Sequence, residues 1–235
     1  MLVLAIETAT ERASVALVQT GIERAAWHSV TSEDLCRCLA PEVGGVIARG
    51  KAAFPQLDLI AVGLGPGSFT SLRIGLATAK AIALAHDLPL VGASSLAAMA
   101  WQMRDTVDGL LCPALDARRG DLYAAIYRAS NGGIEQVTAE FLATPDALAA
   151  VLKEQAAPVA IFGRLPPAAV EQIKQAGGNA VDMIAAPVLP SAQAVAELGR
   201  QRFESRGADD LAALRPIYIR KSYAEEAFDI DLRLC

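Results

Sequence analysis

A glycine-rich turn joins an apolar segment to a long helical segment, and it constrains the fold more than any other feature of the chain. Residues 57–63 are typical of a buried strand, Gly65 and Gly67 follow with a proline between them, and a helix is predicted over Phe69–His86. Such a turn leaves backbone N–H groups free at the start of a helix, which suits an anion. The turn therefore predicts either an anion-binding site or a tight connection.

The turn does not match the common glycine-rich motifs. No Gly-Lys-Ser/Thr follows the glycines, which excludes a P-loop, and residues 65–70 lack the third glycine of a dinucleotide-binding fingerprint. Pro66 and Thr70 stand where an esterase nucleophile elbow at Ser68 would need glycine. If no anion binds, the glycines only permit the turn, and Ser68 or Thr70 caps the helix.

The order of the predicted elements in the first half is repeated in the second. The first half comprises strands Leu2–Glu7, 13–18 and 21–30, a helix over 32–49, a strand over 57–63, the helix Phe69–His86, a strand over 90–91, and a helix from 94. The second half comprises strands Leu110–Asp116, 122–128 and 134–142, a helix over 145–154, the strand Val159–Phe162, and helices over 166–176 and 191–205.

This repeat predicts an α/β protein with two duplicated lobes, each a mixed sheet flanked by helices. The same order occurs in the fold of actin, hexokinase and Hsp70, where nucleotide lies between the lobes. We expect an N-terminal lobe over residues 1–107, a C-terminal lobe over 108–214, and a mobile tail over 215–235. Pro41 should either kink the first helix or lie near its start.

Composition narrows the functional classes. The net charge is −5 and the pI about 5.1, so the surface as a whole does not attract nucleic acid, and contact with tRNA would need a local basic patch. The four cysteines form no CxxC pair, so neither a zinc site nor a disulfide scaffold is indicated. No apolar run reaches the roughly 20 residues of a membrane span. We expect a cytoplasmic protein that does not enter membranes.

Four segments resemble the signature sequences of one family. Residues 63–75 match GxGPGSFTGLRIG almost letter for letter, residues 6–10 and 115–123 match in the same order, and residues 216–220 are similar to a frequent Pro-Val-Tyr-Leu-Arg. This is the bacterial TsaB (YeaZ) family, whose members are subunits of the machinery that makes threonylcarbamoyladenosine in tRNA. The resemblance covers about the first 130 residues well.

The resemblance implies a non-catalytic subunit. Its expected partners are the catalytic threonylcarbamoyl transferase (TsaD-like), an associated ATPase subunit (TsaE-like), tRNA through the complex, and, for some members, a second copy of the chain. The sister transferase holds its metal with two histidines one helical turn apart, whereas this chain has only His28 and His86. No catalytic residue, metal ligand or intrinsic cofactor is therefore predicted, and ATP or ADP is expected only at an interface within the complex.

The resemblance also suggests a weakened nucleotide cleft between the lobes. A simpler interpretation is that its residues are ordinary turn residues. A second functional hypothesis is a stand-alone actin-fold ATPase or phosphotransferase, with Thr8, Thr10, Ser68 and Asp116 near the phosphates. The predicted cleft residues are Thr8, Thr10, Gly65, Gly67, Ser68, Thr70, Asp116 and Arg118.

Members of the family pair through their first two helices, which suggests an interface here. Gly75, Ala79 and Ala83 are spaced by four on the predicted second helix, so a neighbouring helix could approach its backbone closely. The alternative is that this stripe packs inside its own lobe. The predicted interface residues are Leu35, Leu39, Val43, Arg73, Gly75, Ala79 and Ala83.

The chain departs from the family pattern in three segments. Ser71 stands where the family usually has glycine, and Glu7 where it commonly has aspartate. Aligned on Pro41, the usual His-Ser-Glu becomes Leu-Cys-Arg at residues 35–37. These changes put the shape of both turns, and any polar role for the first helix, in question.

Overall fold

The computed structural model describes residues 1–29, 34–130, 132–185 and 187–220. It contains two mixed sheets flanked by helices, which confirms the predicted fold class. The predicted strand end at Val30, the helix start at Ser32 and the tail beyond residue 220 lie outside the described residues. Within the described part of the chain, no helix is both long and apolar enough to cross a bilayer.

The first sheet has the strand order β3-β2-β1-β4-β5. The first three strands form an antiparallel meander, and β4 and β5 extend it in parallel beside β1. Its strands are β1 (Leu2–Glu7), β2 (Ser14–Gln19), β3 (Ile22–His28), β4 (Leu59–Gly63) and β5 (Leu90–Ala93), and its helices α1 (Leu35–Arg49), α2 (Phe69–His86) and α3 (Ser95–Met103). Pro41 lies inside α1 rather than at its start.

The second sheet repeats this arrangement with the order β10-β7-β6-β11-β12, and β8 pairs with both β6 and β9. Its strands are β6 (Leu110–Asp116), β7 (Leu122–Ala124), β8 (Tyr127–Ser130), β9 (Gly133–Gln136), β10 (Phe141–Ala143), β11 (Val159–Phe162) and β12 (Val181–Met183), with helices α4 (Pro145–Lys153) and α5 (Pro167–Gly177).

Two strands predicted as continuous are each broken in two. Ile126 separates β7 from β8, and its N–H donates to Thr138 Oγ1 at 2.9 Å. The carbonyl of Ile126 accepts from Val137 N at 2.8 Å and Thr138 N at 3.2 Å. Val137 and Thr138 lie between β9 and β10, and Ile126 lies between β7 and β8. Because these residues bond to one another, both predicted strands are interrupted at the same place.

The last helix, α6 (Ala192–Arg206), belongs to the first lobe by its packing. It contacts β1, β2, β4 and β5 as well as α3. Gly199 permits this approach, because a Cβ there would lie 2.6 Å from the Cβ of Ala61 in β4. The sequence division assigned residues 192–206 to the C-terminal lobe, and for this helix that assignment is wrong.

The segment 209–220, here called the C-terminal strap, fastens onto both lobes. Lys80 Nζ donates to the Leu214 carbonyl at 2.9 Å, and Ile217 N donates to the Leu64 carbonyl at 2.8 Å. At its far end, Arg220 donates to the Ala117 carbonyl of the second lobe at 2.8 Å. Residues 215–220 were predicted to begin a mobile tail, and this prediction is wrong.

Candidate functional site

The two lobes enclose a cavity of about 730 Å³, here called the interlobe cleft. Five of the predicted cleft residues line it: Thr10, Gly67, Ser68, Asp116 and Arg118. Thr8 and Gly65 are buried beneath it, and Thr70 is exposed outside it, so these three do not belong to its lining. The remaining lining residues are Ala9, Glu11, Phe69, Leu115, Ala117, Tyr123, Arg164, Leu165, Pro166, Pro167 and Leu189.

The glycine-rich turn is pressed against the turn that follows β1. Ser68 N donates to the Ala9 carbonyl at 2.7 Å, and a Cβ on Gly67 would lie 2.2 Å from that same oxygen. No real Cβ fits at that distance, so Gly67 is required for a contact within the chain itself. Gly65 has a φ of +91°, which a residue with a side chain rarely adopts.

The first turn of α2 is closed by serines. Ser68 is the residue before the helix, and its Oγ accepts a long bond of 3.5 Å from Ser71 N, which confirms the predicted cap. The two hydroxyls also meet, with Ser68 Oγ donating to Ser71 Oγ at 3.0 Å. Ser71, which replaces the usual glycine of the family, therefore adds a second bond at this helix start.

Thr8 serves the packing of α2 on β1. Its hydroxyl donates to the Ser71 carbonyl at 2.9 Å in the buried interior. A Cβ on Gly75, one turn along the helix, would lie 2.3 Å from that hydroxyl oxygen. Gly75 therefore makes room for Thr8, the residue after β1, and not for a partner helix.

Glu7 is a fully buried carboxyl group that holds three segments together. Its Oε1 accepts from Ala9 N at 2.6 Å, and its Oε2 accepts from Ser95 Oγ at 2.7 Å. Ser95 Oγ in turn accepts from Gly65 N at 3.2 Å, which links the carboxyl to the glycine-rich turn. Burial raises the pKa of Glu7, and the hydrogen bonds from Ala9 and Ser95 oppose that rise.

The last residue of β4 makes room for this carboxyl group. A Cβ on Gly63 would lie 2.1 Å from Oε2 of Glu7. The sequence alone indicated no role for Glu7, because Gly63 and Ser95, which contact its carboxyl group, are far from it in the chain.

In the second lobe, the turn after β6 corresponds to the turn between β1 and β2 in the first lobe. Asp116 Oδ1 accepts from Arg118 N at 2.8 Å. Gly120 has a positive φ, at +85°, and Arg118 and Arg119 are also left-handed, at 64° and 56°. Arg220 donates to the Asp121 carboxylate, so the strap secures this turn from outside.

An ion pair crosses the interlobe cleft. Arg164 follows β11 in the second lobe, and its Nη1 lies 2.5 Å from Oε1 of Glu11 in the first lobe. Both side chains are well exposed, so the pair adds little to stability. It nonetheless means that the charges of Arg164 and Glu11 already neutralise each other.

Two N–H groups beside the predicted anion site are used within the chain itself. The N–H groups of Ala9 and Ser68 donate to Glu7 and to the Ala9 carbonyl, and Gly67 lies against the same carbonyl. An anion that used either of these N–H groups would have to displace a contact that the chain makes with itself. The turn behaves as a tight connection.

Six of the seven predicted interface residues lie in the core of the first lobe. Leu35, Leu39, Val43, Gly75, Ala79 and Ala83 are all buried, so the prediction that they contact a partner is wrong for them. The alternative, packing inside the same lobe, is confirmed for the stripe on α2. Arg73 is exposed; its guanidinium lies 3.8 Å from the centre of the Phe69 ring and bonds to Tyr218 Oη at 2.9 Å.

Metal ligands do not cluster in the described part of the chain, where no three His, Cys, Asp or Glu side chains are placed to share an ion. The two histidines belong to different elements: His28 ends β3, whereas His86 ends α2 and stacks on Phe54 with 4.7 Å between ring centres.

Comparison with known proteins decides the family. TsaB of Bacillus subtilis, a tRNA threonylcarbamoyladenosine biosynthesis protein, is 31% identical over 226 residues, which are 96% of each chain. The chain belongs to the TsaB family. TsaB of Escherichia coli is 38% identical over 137 residues, 57% of this chain and 58% of that protein.

The other comparisons agree with this family and with the fold. A family model described as TsaD, tRNA N6-adenosine threonylcarbamoyltransferase, matches residues 29–228. The structure of YeaZ from Pseudomonas aeruginosa superimposes with a TM-score of 0.79 at 27% identity, covering 92% of this chain and 99% of that one. A ROK hexokinase from Thermus thermophilus, at 10% identity and a TM-score of 0.54, shares the fold.

Proposed function

We propose that this TsaB-family chain is a non-catalytic subunit in the biosynthesis of threonylcarbamoyladenosine in tRNA. It binds and supports a TsaD-like transferase, which moves the threonylcarbamoyl group onto the adenosine beside the anticodon. The observation that carries this proposal is the match to a protein named for this pathway over 96% of both chains. The match to the transferase model indicates a shared ancestry of the two subunits.

The histidine content supports a non-catalytic role. The whole sequence contains two histidines, one at the end of β3 and one stacked on an aromatic ring of the first lobe. A transferase that holds its metal with a pair of histidines one helical turn apart cannot be assembled from them. Support of a partner through surface contacts requires no such pair.

The exposed faces of α1 and α2 are the proposed partner surface, in place of the buried stripe. On α2, Arg73, Ala77 and Ala81 are exposed at a spacing of four, and Leu84 nearby has 80% of its surface exposed. On α1, a Cβ at Gly44 would meet no neighbour within 4 Å. Small residues on two helices that pack against each other leave a smooth surface that a partner helix can approach closely.

Reconstitution tests the assignment. The purified chain alone should form no threonylcarbamoyladenosine in tRNA, and product should appear when a TsaD-like transferase and a TsaE-like ATPase are added with ATP. Product formation by the chain alone, in a sample shown by mass spectrometry to be free of the transferase, would refute the proposal.

Substitution on the proposed surface tests the partner contact. Ala77→Arg should leave the circular dichroism spectrum and Tm unchanged, because the residue is exposed, but should abolish co-elution with the transferase and any self-association. Ala150→Arg, an exposed alanine of α4 in the other lobe, is the matched control and should bind normally. Equal binding by both variants would exclude this face as the interface.

A stand-alone ATPase or phosphotransferase is the second candidate, favoured by the size of the interlobe cleft and by Asp116 and Ser68 in its lining. Titration calorimetry with Mg-ATP separates the two. Tight binding and turnover by the isolated chain would favour this candidate. Binding only after the transferase is added would instead support nucleotide at an interface within the complex.

A further inference from the structure

A second cavity, of about 400 Å³, shares Leu189 with the interlobe cleft but is lined by different side chains. Arg12, Ser14 and His28 contribute from the first sheet and its turn, and Gln102 contributes from the end of α3. Nothing in the proposed function uses this cavity, and an inference about it does not depend on that function. Its volume lies within the range of sites for small organic ligands.

The polar groups of this cavity are mainly hydrogen-bond donors. Within residues 1–29, 34–130, 132–185 and 187–220, the Arg12 guanidinium and the His28 ring form no ion pair or side-chain hydrogen bond. Ser14 is 98% buried, with 2% of its surface exposed, and its Oγ accepts from Ala192 N at 2.9 Å. A hydroxyl that accepts a bond still has a proton to donate, and among the described residues Ser14 Oγ takes part only in the bond from Ala192 N.

Ser191 adds a further hydroxyl at the start of α6. Its Oγ accepts from Ala194 N at 3.3 Å, so its proton is also available to a ligand. The N–H groups of Ala192 and Ala194 are already satisfied by the two serines. The donors offered to a ligand are therefore side chains, and the helix N-terminus itself is not the basis of the site.

The charge of the cavity is opposite to that of the chain. The chain carries a net charge of −5, yet no carboxylate occurs among the described residues that line the cavity. A guanidinium and two serine hydroxyls that line one cavity are the kinds of donor that bind phosphate oxygens. Because the described lining contains no carboxylate, it would not repel an anionic ligand.

The remaining lining is apolar. Met103 and Pro190 are buried, and Val188 and Leu189 are half-buried, so they form a wall against which an uncharged ring or chain can pack. We propose that this cavity binds a phosphate ester, with the phosphate on Arg12 and the serine hydroxyls and the organic part against the apolar wall. The ester is either a free mononucleotide or a phosphate of an RNA strand.

Calorimetry on the full chain tests this site with four probes: AMP, adenosine, inorganic phosphate and a short single-stranded RNA. We expect AMP or the RNA to bind at least about tenfold more tightly than adenosine, because the phosphate contacts supply much of the affinity. Tighter binding of AMP identifies a free nucleotide as the ligand, and binding of the RNA alone identifies strand phosphates. If neither binds, or if adenosine binds as tightly as AMP, the proposal is wrong.

Two arginine variants locate the bound phosphate. Arg12→Gln should weaken binding at least about tenfold, whereas Arg164→Gln, which changes an arginine of the interlobe cleft, should leave it within about twofold. Arg12 and Arg164 are both exposed enough that the variants should fold, which unchanged Tm values would verify. The opposite result, loss only in Arg164→Gln, would place the nucleotide in the interlobe cleft and overturn the proposal.

Discussion

The two lobes share a strand order, but their corresponding turns are stabilised in opposite ways. The turn after β1 is filled by its own lobe: Gly67 presses on the Ala9 carbonyl, and the buried Glu7 ties the turn to α3. The turn after β6 is open on the cleft side and is held by Arg220 from the C-terminal strap. The first lobe thus depends on close packing of small residues, and the second depends on a distant segment.

The largest effect is expected where the first lobe is most tightly packed. Ala79→Arg places a charged side chain at a position with no exposed surface, which should cost at least about 4 kcal/mol of the free energy of unfolding and leave little folded protein. Circular dichroism and urea titration measure this. Ala77→Arg on the exposed face of the same helix is the control, and equal stability of the two variants would show that the stripe is not core.

A pair of glycine substitutions compares the two turns directly. Gly67→Ala should cost about 3 kcal/mol, because the new Cβ would meet backbone at 2.2 Å. Gly120→Ala has open space and should cost only about 1 kcal/mol, the strain of a positive φ. If chemical denaturation gives equal losses, the difference drawn between the two turns does not hold.

Removal of Arg220 tests the dependence of the second lobe on the strap. Arg220→Ala removes charge-assisted bonds to the Asp121 carboxylate and the Ala117 carbonyl, which should cost about 1–2 kcal/mol. Amide exchange at Ala117 and Asp121 should become about tenfold faster, as expected for a loss of 1.4 kcal/mol in local stability. Arg215→Ala, on the same strap but bonded only to nearby carbonyls, should change neither quantity.

The smallest effect concerns the buried carboxyl of the first lobe. The pKa of Glu7 is raised above its ordinary value of 4.5, so the folded state holds the proton more tightly than the unfolded state. Stability therefore falls as the pH rises above about 4.5 toward the folded-state pKa. Glu7→Gln cannot ionise, so its stability relative to the natural chain should increase between pH 4 and pH 8.

Urea unfolding of both proteins at several pH values measures that difference. Burial also raises the pKa of Glu140, but this group is common to both proteins and cancels in the comparison. A stability difference independent of pH would show that Glu7 ionises as readily in the folded chain as in the unfolded one.

Features that depend on neighbouring residues were predicted correctly from the sequence, whereas contacts between distant residues were not predicted. The bounds of β1, α2, β6 and β11 follow from apolar runs and from the turns beside them, all of which lie within a few residues. The sequence did not indicate which face of α2 is buried. Both faces carry alanines: Ala77 and Ala81 are exposed, and Ala79 and Ala83 are buried. The helix has too little polar contrast for its periodicity to indicate a side.

In the candidate site, too, the residues near strand ends were predicted, and the contacts between distant residues were not. Thr10, Gly67, Ser68, Asp116 and Arg118 follow strand ends, and such positions in both lobes meet at the cleft. The contact between Arg164 and Glu11 joins residues 153 apart, and that between Arg220 and Ala117 joins residues 103 apart. No local pattern marks such partners, so the strap and the ion pair across the cleft emerged only from the fold.

Because α6 packs on the first sheet, the first lobe cannot finish folding until the ribosome has synthesised α6. One face of the first sheet is covered by Ala192, Val195 and Ala196, which the ribosome adds almost a hundred residues after that sheet is finished. Until then the nascent chain exposes Val3, Ala5 and Ala61 to water, a surface to which chaperones bind. A fragment ending at residue 107 would keep that surface permanently and should aggregate.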